Sequence, residues 1–219
     1  YNEESSANSF CRKLDHSGTQ AIAQEYIPGG DSSIVFFIFY RSLDGKHTYY
    51  CAGRKLRQMP SGRGIMARGR SEKLPVLERL CLEFLEDIDY RGLGGLEFKE
   101  YNGSYFFVEM NVRAEGITQI SERTGLDLFH ISFLDAINQG VPSFEAKYGK
   151  YYINLFCYYQ AFKMGCSKDR LVLAGEVIKS IFLQNAIVSG FLFDDLKPFF
   201  VLIKNLILKK IASTGSQKS

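Results

Sequence analysis

The sequence has 219 residues and is 46% hydrophobic, which is enough to bury one large core or two small ones. Its net charge of +3 is too small to indicate a nucleic-acid-binding protein by itself. The five cysteines are odd in number and have no CxxC spacing, so we expect reduced thiols in a cytoplasmic protein without a zinc site. The longest apolar stretch, 198–208, is interrupted by Lys204 and Asn205, and no transmembrane segment is predicted.

The first part of the chain is predicted to lead from a polar segment into a sheet. Residues 1–18 lack periodicity, and we expect them to be a flexible, poorly ordered segment. Residues 19–27 have the pattern of a strand, which the turn residues 28–31 end. Residues 32–42 and 46–59 are rich in strand-forming side chains and are predicted to form a hairpin around an Asp-Gly turn.

A basic stretch that also contains glycines, 54–70, overlaps the end of this hairpin. Arginine forks suit phosphate and carboxylate oxygens, so we interpret the stretch as a mobile anion-binding loop. Two alternatives remain open, a solvated loop and a contact with a nucleic-acid backbone, although the stretch lacks the interleaved aromatic residues that stack on bases. Lys55 and Arg57, at the end of the return strand, are the best candidates for an anion contact.

A helix and a second hairpin follow. Residues 72–88 carry apolar side chains at helical spacing, and Ser71 is the predicted N-cap. Residues 95–101 and 104–112 are predicted strands on either side of Asn102-Gly103, a dipeptide that supplies the two positive φ angles of a tight hairpin turn.

Charged and amide side chains are distributed along this second hairpin. Because side chains alternate across a strand, Glu97 and Lys99 share one face of the first strand, and Glu109, Asn111 and Arg113 share one face of the second. Two carboxylates and an amide on facing strands fit a hard cation such as magnesium, which bridges phosphate oxygens. The alternative is an ordinary hairpin with cross-strand ion pairs on its solvated face.

The remaining chain is predicted to be mostly helical. Helices are expected over 118–123 and 127–139, a strand over 150–159, and further helices over 168–189 and 195–211. Apolar residues nearly encircle the last helix. Internal packing is favoured there over a dimer contact or a membrane-interface contact, and a homodimer remains open.

The second hairpin resembles the metal-binding hairpin of ATP-grasp ligases, the superfamily that includes biotin carboxylase. The resemblance lies in a Glu on one strand, a hairpin turn, and then Val-Glu-Met-Asn-Val-Arg on the next strand. It implies that Glu97, Glu109 and Asn111 hold two magnesium ions on ATP. It also implies that Arg113 faces the reacting phosphate or substrate. Val112 departs from the Pro or Thr of many relatives, but it is not at a ligand position.

The segment Gln-Glu-Tyr-Ile, followed by a glycine turn and an acid, resembles the hinge between the two nucleotide-binding lobes of the same ligases. The resemblance implies that the backbone of Glu25, Tyr26 and Ile27 pairs with the adenine edge. It assigns the ribose hydroxyls to Asp31. These assignments are chemically reasonable, because adenine needs one backbone donor and one acceptor, and a carboxylate accepts from both hydroxyls.

The resemblance covers about 19–140 and implies an α+β fold, in which a mainly antiparallel sheet is covered by helices as in the ATP-grasp large lobe. Residues 141–219 are expected to form a C-terminal extension with one strand and several helices. The small lobe and the N-terminal domain of these ligases are expected to be absent from this chain, because the hinge falls within its first thirty residues.

The function implied is that of an ATP- and magnesium-dependent carboxylate–amine ligase, present as a fragment and similar to D-aspartate ligases. In such enzymes ATP phosphorylates a carboxylate, and an amine attacks the acyl phosphate to give an amide, ADP and phosphate. Lys55 is assigned to the triphosphate and Arg57 to catalysis beside Arg113. The expected partners are small-molecule carboxylates and amines and not nucleic acid. The alternative is a non-catalytic nucleotide-binding or interaction module of the same fold.

Overall fold

The computed structural model describes residues 4–17, 20–21, 24–141, 144, 146–165, 167–189, 197 and 201. Seven strands form one sheet: β1 (Ile34–Arg41), β2 (Thr48–Met59), β3 (Ile65–Ser71), β4 (Gly92–Tyr101), β5 (Ser104–Asn111), β6 (Tyr151–Asn154) and β7 (Ile187–Ser189). Their order across the sheet is β5-β4-β1-β2-β3-β6-β7. Neighbouring strands are antiparallel except for β6 and β7, which are parallel.

Six helices accompany the sheet in the described part of the chain: α1 (Glu4–Ser17), α2 (Pro75–Asp87), α3 (Ile120–Arg123), α4 (Leu128–Ala136), α5 (Leu155–Met164) and α6 (Ser167–Ile178). Short 3-10 helices span Asp31–Ser33 and Gly116–Gln119, and a π-helix spans Lys179–Leu183. The predicted α+β class, with a mainly antiparallel sheet, is confirmed. None of the helices in the described part of the chain is long and apolar enough to cross a membrane.

Strand β1 is at the centre of the core because both of its faces are covered. Val35, Phe37 and Phe39 pack with α2 on one face of the sheet. Phe36 and Ile38 face the opposite layer, which contains buried residues from the 3-10 helix at Gly116–Gln119, from α3 and from α4. Burial on both sides explains why this strand reads as an unbroken apolar run rather than an alternating one.

A third apolar cluster joins α5 and α6 to the β3–β6 part of the sheet. It contains Ala67, Ile153, Cys157, Tyr158, Leu173 and Ala186. Ile153 faces this cluster, whereas its neighbour Tyr152 faces the layer of α3 and α4. Helices α5 and α6 therefore pack on the α2 side of the sheet, away from α3 and α4.

The predicted hairpin around Asn102-Gly103 is confirmed, with φ of 51° at Asn102 and 77° at Gly103. Strands β4 and β5 pair from Tyr101–Ser104 to Gly95–Asn111, and a bulge inserts Val108 opposite the junction of Glu97 and Phe98. The register of the β2–β3 pairing also shifts, once between Lys55 and Arg57 and again between Arg57 and Gln58. Bulges of this kind change the face to which a side chain points.

The basic stretch 54–70 is not a loop. It comprises the end of β2, a turn and β3, and several of its basic side chains form ion pairs within the fold. Arg54 contacts Glu100 at 2.6 Å and Glu72 at 3.4 Å, and Arg70 contacts Glu72 at 2.9 Å. The interpretation of this stretch as a mobile loop is therefore wrong, because most of it lies in two strands and acidic side chains neutralise Arg54 and Arg70.

Several other predicted elements differ from the structure. The segment predicted to be poorly ordered contains helix α1, and the described residues of 19–27 form no strand. Ser71 is a buried residue of β3 rather than an N-cap, and α2 begins at Pro75. The strand predicted over 150–159 ends at Asn154, where α5 begins. The helix predicted over 168–189 gives way to β7. The predicted helix 195–211 lies outside the described residues, apart from Lys197 and Val201.

Candidate active site

A cavity of about 590 Å³ opens at one end of the sheet, on the face that carries α3 and α4. Its polar lining comes from β2, β4, β5, β6 and the connections beside them: Lys55, Gln58, Arg63, Glu97, Glu109, Asn111, Arg113, Glu115 and Asn154. Apolar wall residues include Ile34, Ile65, Met66 and Ile117. A hollow of about 700 Å³ beside α1 is larger, but it is lined only by residues of that one helix and encloses no converging groups.

The cavity brings together five of the residues that the sequence singled out: Lys55, Glu97, Glu109, Asn111 and Arg113. Glu97 and Glu109 are directly opposite in the β4–β5 pairing. The amide Nδ2 of Asn111 donates to Glu109 Oε1 at 3.0 Å and to Glu115 Oε2 at 3.2 Å. Regular pairing from the Asn102-Gly103 turn would place Val108 opposite Glu97, so the bulge at Val108 is what brings Glu109 and Asn111 to the face of Glu97.

Lys55 forms a buried ion pair with Glu97. Its Nζ lies 2.7 Å from each of the two carboxylate oxygens. Lys55 is 4% exposed and Glu97 is 8% exposed. Because β1 lies between β2 and β4, the lysine side chain crosses β1 to reach its partner. The cation thus neutralises a carboxylate that would otherwise be buried without compensation.

Glu115 is a site residue that the sequence reasoning missed. Burial raises the pKa of its carboxyl group to about 7, and the negative charges of Glu97 and Glu109 add to this effect, while Arg113 and Lys55 oppose it. Its carboxylate fills the space beside Gly95, where a Cβ atom would overlap Oε1. The sequence feature that could have indicated Glu115 is its position, as an acidic residue just after the strand that carries the predicted magnesium ligands.

Gln58 and Arg63 were also missed. In a regular strand Gln58 would lie on the opposite face from Lys55, but the irregular β2–β3 pairing brings both to the cavity. Gln58 is 5% exposed, and its Nε2 has no hydrogen-bond partner among the described residues. Arg63 lies in the turn between β2 and β3, and no described acidic side chain forms an ion pair with it. This wall of the cavity therefore presents donors that a ligand oxygen could accept from.

The same irregularity directs Arg57 away from the cavity. Its guanidinium contacts Glu176 of α6 through Nε at 2.8 Å and Nη2 at 2.9 Å, and Tyr158 donates to Glu176 at 2.7 Å. In a regular strand, Arg57 would share the face of Lys55. The catalytic assignment of Arg57 is not supported by this geometry.

The residues assigned to ribose and adenine do not line the cavity. Asp31 accepts hydrogen bonds from Gln58 N at 2.8 Å, Ser61 Oγ at 2.9 Å and Gly62 N at 2.6 Å, so it stabilises the end of β2 and the following turn. These bonds outweigh burial and lower the pKa of Asp31. Its contacts do not support the ribose assignment.

The residues assigned to the adenine edge lie in an extended connection before β1. Tyr26 is 79% exposed, and Lys99 Nζ lies 5.1 Å from the centre of its ring. Neither Glu25 nor Ile27 contacts the cavity. The assignment concerned backbone groups rather than these side chains, so it stays a prediction.

The donor set of the cavity fits a hard cation that also binds another ligand. Within the described ranges, no group of three or more His, Cys, Asp or Glu side chains is arranged to hold a metal ion. Glu97, Glu109 and Asn111 supply carboxylate and amide oxygens, which magnesium prefers. Magnesium commonly completes its coordination with substrate phosphates and water rather than with protein alone. The residues therefore fit magnesium together with a phosphate ligand.

Comparison with known proteins places this geometry in context. No protein-family profile matches the chain. A biotin carboxylase from Pseudomonas aeruginosa is 38% identical over 66 residues, which are 30% of this chain and 14% of that protein.

Solved structures share the fold. The N5-carboxyaminoimidazole ribonucleotide synthetase of Thermus thermophilus matches 66% of this chain and 40% of its own, with a TM-score of 0.51 and 17% identity. The Staphylococcus aureus N5-carboxyaminoimidazole synthetase, solved with ADP, matches 65% of this chain and 38% of its own, with a TM-score of 0.50 and 12% identity. The chain thus spans at most two fifths of these relatives, and the resemblance drawn from its hairpin is confirmed for the fold.

Proposed function

Because the chain has the fold of the ATP-grasp ligases, we propose that it supplies the ATP- and magnesium-binding part of a carboxylate–amine ligase. The observation that carries the proposal is the direct opposition of Glu97 and Glu109, with Asn111 bonded to Glu109, in a cavity that also contains Lys55 and Arg113. This arrangement supplies oxygen ligands for a divalent cation beside positive charges suited to phosphate.

The proposed reaction proceeds in two steps. A substrate carboxylate oxygen takes the γ-phosphoryl group as its bond to ADP breaks. The amine nitrogen then attacks the carbonyl carbon, loses a proton and expels phosphate, leaving an amide. Glu97, Glu109 and Asn111 would hold magnesium, which when bound neutralises charge on the transferring phosphoryl group.

The chain's own cations are assigned by their place in the cavity. Arg113 is proposed to orient the carboxylate and to stabilise the acyl phosphate, since a guanidinium fork matches the oxygens of both groups. Lys55 is proposed to contact the triphosphate. The backbone of 25–27, which leads towards β1 beside the cavity, is proposed to contact adenine.

Gln58 and Arg63 are proposed to contact the bound substrate or nucleotide. Both present hydrogen-bond donors to the cavity, and the Gln58 amide is buried without a partner among the described residues. A buried donor without an acceptor is unfavourable unless a ligand supplies one. We assign this wall to acceptor oxygens of the bound substrate or nucleotide, with Ile65 and Met66 as the adjoining apolar surface.

The chain spans at most two fifths of the solved ligases, so turnover by the whole protein is part of the proposal. The same cavity without turnover would be a nucleotide-binding module. Release of ADP in the presence of paired carboxylates and amines, measured on the full-length protein, distinguishes the two.

The direct test is calorimetric titration of magnesium-ATP into the parent chain, Glu109→Gln and Glu83→Gln. Glu109→Gln removes one charge from the proposed metal site, whereas Glu83→Gln removes an equal charge from the exposed surface of α2. We expect Glu109→Gln to weaken binding by roughly tenfold or more, equivalent to about 1.4 kcal/mol, and Glu83→Gln to leave it unchanged. Chelation of magnesium should weaken the parent in the same way. Equal affinity of the parent and Glu109→Gln would contradict the metal assignment.

A further inference from the structure

We propose that Lys55 stands in for the divalent cation at Glu97 when no nucleotide is bound, and that metal therefore binds strongly only together with nucleotide. The inference rests on the proposed function and specifies the order in which its ligands bind. Lys55 would be a positioning residue that controls access to Glu97.

The first argument is the geometry of the ion pair. Lys55 Nζ lies 2.7 Å from both oxygens of Glu97, so the ammonium occupies the bidentate position in front of that carboxylate. Both side chains are buried, and water therefore screens their interaction only weakly. A metal ion approaching Glu97 must either displace this ammonium or bind beside another positive charge.

The second argument is the difference between the two carboxylates. Glu109 is exposed and accepts a hydrogen bond from the side-chain amide of Asn111. No described lysine or arginine forms an ion pair with it. Glu97 is occupied by Lys55. One carboxylate of the opposed pair is thus available to a cation, and the other is blocked. A single exposed carboxylate with a neighbouring amide is a weak site for a metal ion alone.

The third argument is charge balance. The carboxylates of Glu97, Glu109 and Glu115 lie with three cations, Lys55, Arg63 and Arg113. A divalent metal alone would add two positive charges beside Lys55. A metal–nucleotide complex brings phosphate oxygens as well, and these provide a new partner for the ammonium. The four-carbon stem and compact charge of lysine allow it to move from a carboxylate to a nearby phosphate.

The test measures Mn²⁺ binding by electron paramagnetic resonance, with and without a non-hydrolysable ATP analogue. It compares the parent, Lys55→Met and Lys99→Met. Lys99 is on the same strand as Glu97 but contacts the Tyr26 ring, so its replacement matches the change in charge without releasing Glu97. Without nucleotide, we expect Lys55→Met to bind Mn²⁺ about tenfold or more tightly than the parent, a difference of ~1.4 kcal/mol. Lys99→Met should match the parent, and adding Glu109→Gln to Lys55→Met should abolish the gain.

The outcomes separate this inference from the proposed function. If the parent binds Mn²⁺ only with nucleotide, and folded Lys55→Met gains nothing without it, the stand-in role is wrong and the ligase site stands. If the parent binds Mn²⁺ alone as tightly as Lys55→Met, the stand-in role is also wrong. If the parent fails to bind Mn²⁺ even with nucleotide, the proposed function fails.

A second measurement avoids the variant in case the uncompensated Glu97 prevents folding. The Nζ resonance of Lys55 in the ¹⁵N-lysine-labelled parent, assigned with Lys55→Arg, reports on the ion pair directly. We expect magnesium alone to leave the resonance unchanged and magnesium-ATP to shift it. A shift with magnesium alone, or no shift at saturating magnesium-ATP, would overturn the proposal.

Discussion

Arg57 and Glu176 form a two-pronged ion pair, with Nε–Oε2 and Nη2–Oε1 distances of 2.8 and 2.9 Å. The pair joins β2 to α6, on the face of the sheet opposite the cavity that contains Lys55. Lys55 and Arg57 are two positions apart and would lie on the same face of a regular strand, but here they lie on opposite faces and have different roles. Lys55 belongs to the candidate site, whereas Arg57 attaches a helix to the sheet.

Replacement of Arg57 by Met should therefore affect stability and not ligand binding. The change removes two charge-assisted hydrogen bonds and leaves the partly buried Glu176 with a hydrogen bond from Tyr158 and the more distant charge of Arg68. We expect a loss of about 1–3 kcal/mol in the free energy of unfolding, measured with urea. Magnesium-ATP affinity should stay within about twofold of the parent, well below the tenfold change that corresponds to about 1.4 kcal/mol.

The matched variant is Glu176→Gln, which removes the opposite charge of the same pair. A double-mutant cycle should give a coupling between the two residues, because each single change already breaks the contact. A folded Arg57→Met that no longer binds nucleotide would restore the catalytic assignment.

The hairpin of β4 and β5 could be predicted because its information is local. The Asn-Gly dipeptide fixes the turn, and alternation within β5 places Glu109 and Asn111 on one face, but the bulge at Val108 that turns this face towards Glu97 could not be predicted. The apolar run of β1 likewise indicated a buried strand before any partner was known. In these elements the sequence pattern and the final packing depend on the same few neighbouring residues.

The other side of the candidate site could not be predicted, because it depends on pairing between distant segments. The irregular β2–β3 register decides that Gln58 joins Lys55 and that Arg57 does not. The basic stretch looked like a loop because its neutralising partners, Glu72, Glu100 and Glu176, come from other elements. The alternation of side chains in the sequence does not indicate where such bulges occur.

Replacement of Gln58 by Met should separate stability from binding. The two side chains are similar in size, and methionine removes a buried donor that has no partner among the described residues. We expect the unfolding free energy to stay level or to rise by up to about 1 kcal/mol, since leaving such a donor unpaired is unfavourable. Nucleotide or substrate affinity should fall, because the donor would pair with a ligand oxygen. A clear loss of stability with unchanged affinity would instead assign Gln58 a purely structural role.

Asp31 should make stability depend on pH in the acidic range. Its pKa is lowered because hydrogen bonds from Gln58, Gly62 and Ser61 outweigh the opposing effect of burial. A lowered folded-state pKa gives stability that is fully present above the ordinary carboxyl pKa and is lost as the pH falls through the folded value. We therefore expect the parent to lose more stability than Asp31→Asn between roughly pH 5 and pH 2.

The measurement for Asp31 is the free energy of urea unfolding at successive pH values. The amide introduced by Asp31→Asn cannot ionise and has a single acceptor oxygen, so this variant should be less stable than the parent at neutral pH. The two should converge in acid. Asp87→Asn, which removes an exposed carboxylate at the end of α2, is the control and should run parallel to the parent. Parallel curves for Asp31→Asn would contradict the assigned hydrogen bonds.

Alanine at Gly94 should mainly reduce stability, whereas alanine at Gly95 should weaken ligand binding. An added Cβ at Gly94 meets the ring of Phe39, which is fully buried, and the backbone oxygen of Asn111. Overpacking of this kind is expected to reduce stability by about 1–3 kcal/mol. At Gly95 the added Cβ overlaps the carboxylate end of Glu115, which caps the 3-10 helix at Gly116–Gln119 by accepting from the backbone N–H of Thr118. Gly95→Ala should therefore lose about 0.5–2 kcal/mol of stability, the usual effect of losing a cap.

Displacement of Glu115 should still be detectable in the site. It breaks the contact with Asn111 Nδ2 and leaves that amide held by Glu109 alone, so the proposed metal ligands are less well fixed. We expect weaker magnesium-ATP binding by Gly95→Ala, measured by calorimetry, and a stability close to that of Glu115→Ala, which loses the same helix cap. Since Glu115→Ala removes the same carboxylate without adding a Cβ, the two variants should agree in affinity. Parent-like binding by both would mean that Glu115 plays no part in positioning Asn111.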